Sequence, residues 1–168
     1  GVGEKGDDEM LHVEQMILDG SEHGEWVALL DAYARDPMGG GDGLQESVRQ
    51  RLASAIADVP GAVVLVARWD GKGVGIATAF MGFSTFGARP LLNVHDIAVL
   101  DGWGGGGVGS ALLRRLEEIA RQRNCCKMTL EVLANNHVAQ TAYRKSGFAP
   151  YELDPTAGGA LFWQKMLS

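Results

Sequence analysis

The stretch from Gly102 to Ser110, Gly-Trp-Gly-Gly-Gly-Gly-Val-Gly-Ser, limits what this chain can become more than any other. Six of the eight residues from Gly102 to Gly109 are glycine, which excludes a helix interior. Without Cβ atoms the backbone can take φ > 0 and lie bare against a ligand, at an entropic cost of roughly 0.5–1 kcal/mol per residue. An apolar stretch precedes the run, and an amphipathic helical pattern begins behind it near Val108. The first N–H groups of that helix have no partner inside it and point into the glycine loop, at the positive end of the helix dipole. Strand, glycine loop and helix start together predict a site for phosphate or pyrophosphate. A flexible linker is the bland alternative, but linkers do not usually join a buried strand to a strong helix.

With 168 residues, 46% of them apolar, the chain can bury the core of one domain without staples. Its 24 glycines gather at turns and loops and form no repeat, so collagen-like order and low complexity are excluded. A net charge of −6 argues against a nucleic-acid partner or an acidic membrane surface, and suits a cationic substrate. The two cysteines, Cys125 and Cys126, are adjacent and poorly placed for disulfide geometry, which fits a reduced, cytoplasmic protein. No apolar run approaches the ~20 residues of a membrane span, and no signal-peptide pattern opens the sequence. The histidines His12, His23 and His137 are not spaced with the cysteines as metal ligands, so no metal is expected.

Taken in order, residues 1–9 are glycine and charge and predict a disordered tail, leaving 10–168 as a single domain. Met10 to Leu18 suits a first strand. Ser21 and Glu25 precede a stripe of Trp26, Leu29, Leu30 and Tyr33 that predicts a helix stopping before Pro37. A glycine-rich loop with Asp36 and Asp42 leads to a second helix bearing Leu44, Val48, Leu52 and Ile56 on one face, ended by Pro60-Gly61. Ala62 to Ala67 and Val74 to Phe83 form a hairpin about Asp70-Gly71, and Leu91 to Leu100 completes a meander. After the glycine loop, Val108, Leu112, Leu116 and Ile119 line one helix face. Lys127 to Leu133 then predicts a strand parallel to 91–100, reached by a right-handed crossover. A helix follows from Asn135-Asn136 to Ser146 with Gly147 as its C′ residue. Two last strands, near Tyr151 and from Ala160 to Met166, complete the expected sheet.

Two sets of residues in this order resemble the GNAT N-acetyltransferase family. Its acetyl-CoA loop, Gln/Arg-x-x-Gly-x-Gly/Ala between a strand and a helix, is matched by Gly104-Gly105-Gly106-Gly107-Val108-Gly109. Gly104 stands where the family has Gln or Arg, so one side-chain contact to pyrophosphate is lost while the backbone cradle remains. The more specific signature, Asn-x-x-Ala-x-x-x-Tyr-x-x-x-Gly-Phe, is matched without a gap by Asn136, Ala139, Tyr143, Gly147 and Phe148. The resemblance implies an α+β fold: a mixed, mostly antiparallel sheet of about six to seven strands flanked by about four helices. It also implies an acetyl-CoA-dependent acyltransferase acting on a primary amine through a ternary complex.

By the same resemblance the backbone of Ile97, Ala98 and Val99 pairs with the pantetheine arm like an added strand. Residues 104–109 with Ser110 hold pyrophosphate, Asn136 and Ala139 meet the arm from the other side, and Tyr143 protonates the departing thiolate. An alkyl amine with a pKa of about 10.4 is neutral roughly once in 2,500 at pH 7, about 4.6 kcal/mol of handicap, so a base or water chain is needed. His95, Asp96 and Glu131 lie on the two strands flanking the predicted acetyl position and are the candidate bases. Strict alternation would put His95 and Asp96 on opposite sheet faces. Asp36, Asp42 and Glu46 near the mouth hint at a cationic acceptor. The acceptor's identity and the oligomeric state, a homodimer included, stay open. Two rivals compete: a module that holds acyl-CoA without chemistry, and a Rossmann site. Gly104, Gly106 and Gly109 satisfy G-x-G-x-x-G and Glu131 follows at about the right distance. The meander before the loop and the short chain after Glu131 speak against the Rossmann rival.

Overall fold

Five consecutive residues, Val63 to Ala67, are fully buried, so the strand carrying them has to be covered on both faces. It lies inside a five-stranded sheet in a computed structural model that describes residues 10–21, 23–152 and 154–167. The strands are β1 (Leu11–Gln15), β2 (Val63–Trp69), β3 (Lys72–Ser84), β4 (Arg89–Val99) and β5 (Met128–Leu130), side by side in chain order. The first four pair antiparallel and β5 runs parallel to β4. The β2–β3 turn uses left-handed backbone at both Asp70 and Gly71 (φ 50° and 82°), the conformation that matches the twist of a tight hairpin. Among the described residues no helix is long and apolar enough to cross a membrane.

Helices α1 (Gly24–Arg35) and α2 (Glu46–Ala57) cover one face of the sheet. There Trp26, Val27, Leu30 and Ile56 pack on Val64, Val66 and Ile76. Helix α3 (Val108–Gln122) covers the other face, with Val108, Leu112, Leu116 and Ile119 against Leu65, Ala77, Ala79 and Leu92. Close approach explains the glycine at 75: a Cβ there would lie 2.8 Å from Val108 Cγ1 and 3.3 Å from Leu112 Cδ1. Arg68 of β2 donates to Glu14 of β1 at 2.8 Å and to Glu25 of α1, tying that helix to the sheet. Beyond β5 comes the short helix α4 (His137–Lys145), followed by Gly147 at φ 93° as the expected C′ residue.

Before α1 the Ser21 backbone N–H and hydroxyl donate to Asp19, and His23 occupies the N-cap position with no side-chain cap bond. The structure corrects the sequence-based expectation in two places. β5 has three laddered residues instead of the seven from Lys127 to Leu133, because β4 leaves it after the pair Val94↔Leu130. The described sheet has five strands instead of six or seven. Neither Tyr151 nor residues 160–166 lie in a strand; one backbone bond, from Ala160 N to Tyr151 O at 3.2 Å, joins the two segments. The tail expected over residues 1–9 lies outside the described residues.

Candidate active site

Two parallel strands that part company leave backbone groups free in the space between them. β4 and β5 are held together as far as Asn93 and Thr129, whose side chains bond at 2.9 Å, and their last paired residues are Val94 and Leu130. From there β4 runs on to Val99, still paired with β3 on one side and, among the described residues, open on the other. The open edge includes Ile97, Ala98 and Val99, the residues expected to accept an added strand. At its far end the chain turns through Leu100 and Trp103 into the glycine loop. The split thus leads from an unpaired strand edge towards the start of α3.

That helix start has the character of an anion site. Its N-cap, Gly107, sits at φ 84°, no side chain caps the first turn, and no acidic residue lies in it. Among the described residues no side chain therefore compensates the N–H groups of the first turn or the helix dipole. A Cβ built at Gly104, Gly105 or Gly107 meets nothing within 4 Å, so these loop positions face open space. The two glycines also separate space from strain. Gly107→Val forces a branched residue into the left-handed region and is expected to lower stability by about 1–2 kcal/mol and to weaken binding of the phosphate ligand that the sequence leads one to expect here. Gly104→Ala, with ordinary φ, is expected to change stability by under about 0.5 kcal/mol. Chemical denaturation and calorimetric titration of the two variants check this.

Across the split, the chain leaving β5 is pinned by Gln140, whose amide donates to Leu133 O at 3.1 Å and Ala134 O at 2.8 Å. This anchors α4 beside the strand end. Asn136 caps that helix by accepting from Ala139 N at 3.2 Å, which leaves its amide nitrogen as a donor. On the same helix Tyr143 is half-buried, edge-on to Phe148 with ring centroids 6.1 Å apart. Burial above all, and the nearby Tyr33 to a smaller extent, push its phenol up to about 12.

The strand pairing overturns the expectation that His95 and Asp96 face opposite ways. Thr78 pairs with Asp96 and Ala79 with Val94, so His95 is the extra residue of a β-bulge. Its ring stands edge-on to Phe80, 5.5 Å between centroids, and Phe80 packs with the α1–α2 cluster. Ala98 packs in that same cluster and Ile97 in the opposite one, which puts Asp96 on the α1 side as well. His95 Nδ1 and Asp96 Oδ2 are 3.4 Å apart. Glu131 is exposed, just past the last laddered residue of β5.

Tyr33 joins this group although the sequence pattern presents it as one more apolar position on α1. Burial, then Asp96 and Asp36, raise its phenol above the ordinary value. It lines a cavity of about 310 Å³ between α1 and β4, together with Leu29, Asp36, Ala98, Val99 and Asp101. Asp31 sets the mouth: it accepts from Leu44 N at 2.8 Å and pairs with Arg35 at 3.1 Å, pinning the loop that carries Asp36 and Asp42. The Leu44 N–H holds the Asp31 carboxyl below its usual range. The hydroxyl on a half-buried stripe, with a carboxylate three residues on, was the available signal. Glu46, the third acidic residue of the hint, is instead paired with Arg49 at 2.9 Å.

Comparison with known proteins agrees with this fold. The model of the Acetyltransferase (GNAT) family matches residues 26–148, from α1 through α4 and the Phe148 signature. Streptothricin acetyltransferase from Streptomyces lavendulae is 38% identical over 85 residues, 51% of this chain and 43% of that protein. The match thus spans less than half the length of that curated relative. Among solved structures, an aminoglycoside acetyltransferase from an uncultured soil metagenomic sample, in complex with sisomicin, superposes with a TM-score of 0.77 at 17% identity, covering 96% of this chain and 99% of that one. A ribosomal-protein-alanine N-acetyltransferase from Brucella melitensis biovar Abortus 2308 gives 0.63 at 20% identity, covering 94% and 98%. At these identities the structural likeness speaks for the fold alone.

Proposed function

The chain belongs to the acetyltransferase (GNAT) family, and we propose that it is a single-domain enzyme that moves an acetyl group from acetyl-CoA to a primary amine of a cationic acceptor. The observation that carries this is the unpaired edge of β4, His95 to Val99, leading to the uncapped start of α3. An extended amide-bearing arm can pair with such an edge, and its diphosphate can meet the helix N-terminus. The residues present suit acetyl-CoA: bare backbone at Gly104 to Gly109 with Val108 and Ser110 in the first helical turn, a free amide donor on Asn136, and Ala139 one turn along. When bound, acetyl-CoA supplies the activated acetyl thioester.

The chain's own groups do the rest. Tyr33, Asp36 and Asp96 make the neighbourhood between α1 and β4 acidic and polar, which suits an ammonium group entering by the loop that Asp31 pins. His95, whose Nδ1 lies beside the Asp96 carboxylate, takes the proton from that amine as general base. Asp96 itself, and Glu131 just past the end of β5, are the other candidate bases. Tyr143 keeps its proton throughout the working range and delivers it to the leaving sulfur. Streptothricin and aminoglycosides, named in the relatives above, are the first cationic amines to try.

The test has two parts. Acetyl-CoA and CoA are expected to raise the melting temperature and NAD(H) to leave it unchanged, since a ligand bound only by the folded state stabilises it. An amine panel with acetyl-CoA, read by release of free thiol, then separates catalysis from holding. Stabilisation by NAD(H) in place of acetyl-CoA would overturn the proposal, and tight CoA binding with no turnover across the panel would make the chain a non-catalytic module.

A further inference from the structure

The loop between β4 and α3 has almost nothing with which to hold itself in shape. Of residues 102–107 only Trp103 is not glycine. Gly102, Gly105 and Gly107 take left-handed backbone, at φ 85°, 80° and 84°, and a Cβ built at 102, 104, 105 or 107 would meet nothing within 4 Å. Gly104 to Gly107 are exposed, on the most freely moving backbone a chain can have. The two ends of the loop are fixed, by the bond from Leu100 N to Val74 O at 2.8 Å and by Val108, buried in the core cluster under α3. Between Asp101 and Val108 the one side chain is that of Trp103.

That side chain is half-buried, and its attachment is specific. The Trp103 ring lies 5.6 Å from the ring of Trp69 with the planes 50° apart, a tilted aromatic pair, and both rings pack against the cluster that also receives Val108. Trp69 ends β2, paired with Leu11 of β1 and Lys72 of β3, so the loop is tied to a corner where three strands meet. The Trp103 N–H adds a bond to Leu100 O at 3.0 Å. A loop that receives a diphosphate on bare N–H groups has two opposed needs. Side chains would fill the cradle, while a loop with none would be ordered only by the ligand, at the expense of affinity. One aromatic anchor, aimed away from the cradle into the core, meets both. The need is sharper here because Gly104 has no side chain of its own to offer the ligand.

We propose that Trp103 is a positioning residue of the donor site: held on Trp69, it keeps the backbone of residues 104–107 in its anion-receiving shape. A tryptophan at the end of β2, which the ligand need not touch, then sets the affinity for acetyl-CoA. This rests on the reading of the glycine loop as the diphosphate site.

Calorimetric titration with CoA, and amide nitrogen relaxation of the ligand-free protein, test this on the full chain beside Trp103→Ala, Trp69→Leu, the double variant and Trp103→Phe. Trp69→Leu keeps an apolar side chain in the cluster and decides the matter if Trp103→Ala is too unstable to titrate. Trp103→Ala is expected to weaken CoA binding by about 10–100-fold and Trp69→Leu by about 5–20-fold. The double variant is expected to fall within about threefold of Trp103→Ala alone, because both act through one contact. Trp103→Phe, which keeps an aromatic pair, is expected to stay within about threefold of the parent. Order parameters at Gly104 to Gly107 are expected near 0.85 in the parent and below about 0.6 in Trp103→Ala and Trp69→Leu. A role in folding alone would lower the melting temperature and move neither the affinity of the folded protein nor the order of the loop. Mobile glycines in the parent, unchanged order in the variants, or CoA affinity within about threefold of the parent in folded Trp103→Ala and Trp69→Leu would overturn the proposal. A parent whose loop is ordered through Trp103 but which does not bind CoA would uphold the tether, and would overturn the function proposed above together with the affinity drawn from it.

Discussion

Tyr143→Phe is expected to lower turnover by about 10²–10⁴-fold, the usual contribution of a positioned general acid, while acetyl-CoA affinity changes little. The substitution removes one oxygen and leaves the ring, so its packing on Phe148 is kept and the fold should remain intact. A phenol pushed up to about 12 is at first sight a poor acid for a thiolate. The main cause of that shift is burial, which disfavours any anion placed there, a leaving sulfur included. The Cys125 thiol, raised chiefly by its own burial, shows the same effect in this chain. The pH behaviour follows with a definite sign. An unfolded tyrosine ionises near 10 and this one near 12, so its contribution to stability is intact below about 10 and is lost as pH rises through about 12. No loss of activity up to about pH 10 should therefore trace to Tyr143. Steady-state rates with a good amine, beside calorimetric titration of acetyl-CoA, measure both parts. Turnover within about threefold of the parent would make Tyr143 a packing residue.

Leu112→Ala is expected to destabilise the fold by about 2–5 kcal/mol, the range for a leucine deleted from a core that cannot fully collapse. Leu112 is fully buried in the second turn of α3 and packs in the cluster with Val74, Ala77 and Val108. The facing strand position is Gly75, which has no side chain to move into the space. At roughly 2–4 °C per kcal/mol for a chain of this size, the melting point should fall by about 4–20 °C. Because the same helix starts at the proposed diphosphate site, acetyl-CoA at about 100 times its dissociation constant is expected to recover about 2.7 kcal/mol if the proposed function holds. Denaturant titration with and without ligand checks both figures. A loss under about 1 kcal/mol would mean that α3 is held to the sheet less firmly than its packing indicates.

Much of this protein was legible in its residues alone. Periodicity placed the four helices and the meander, because apolar spacing of 3.6 or 2 is a local property of the chain. The glycine run predicted an uncapped helix start, and Gly107 at φ 84° provides it. Asn135-Asn136 and Gly147 marked the two ends of a helix carrying Tyr143, and that helix runs from His137 to Lys145. What the tertiary structure decided concerns edges and faces. The bulge at His95 turns that residue and Asp96 to one side, the parting of β4 from β5 after Val94 opens the split, and the packing of α1 brings Tyr33 to both. The pattern from Ala160 to Met166 likewise predicted a strand, and in the structure those residues lie in none. Register, bulges and free edges depend on hydrogen bonds between segments tens of residues apart, and a one-residue shift reverses which face a side chain meets. The periodicity of any one segment is the same before and after that shift.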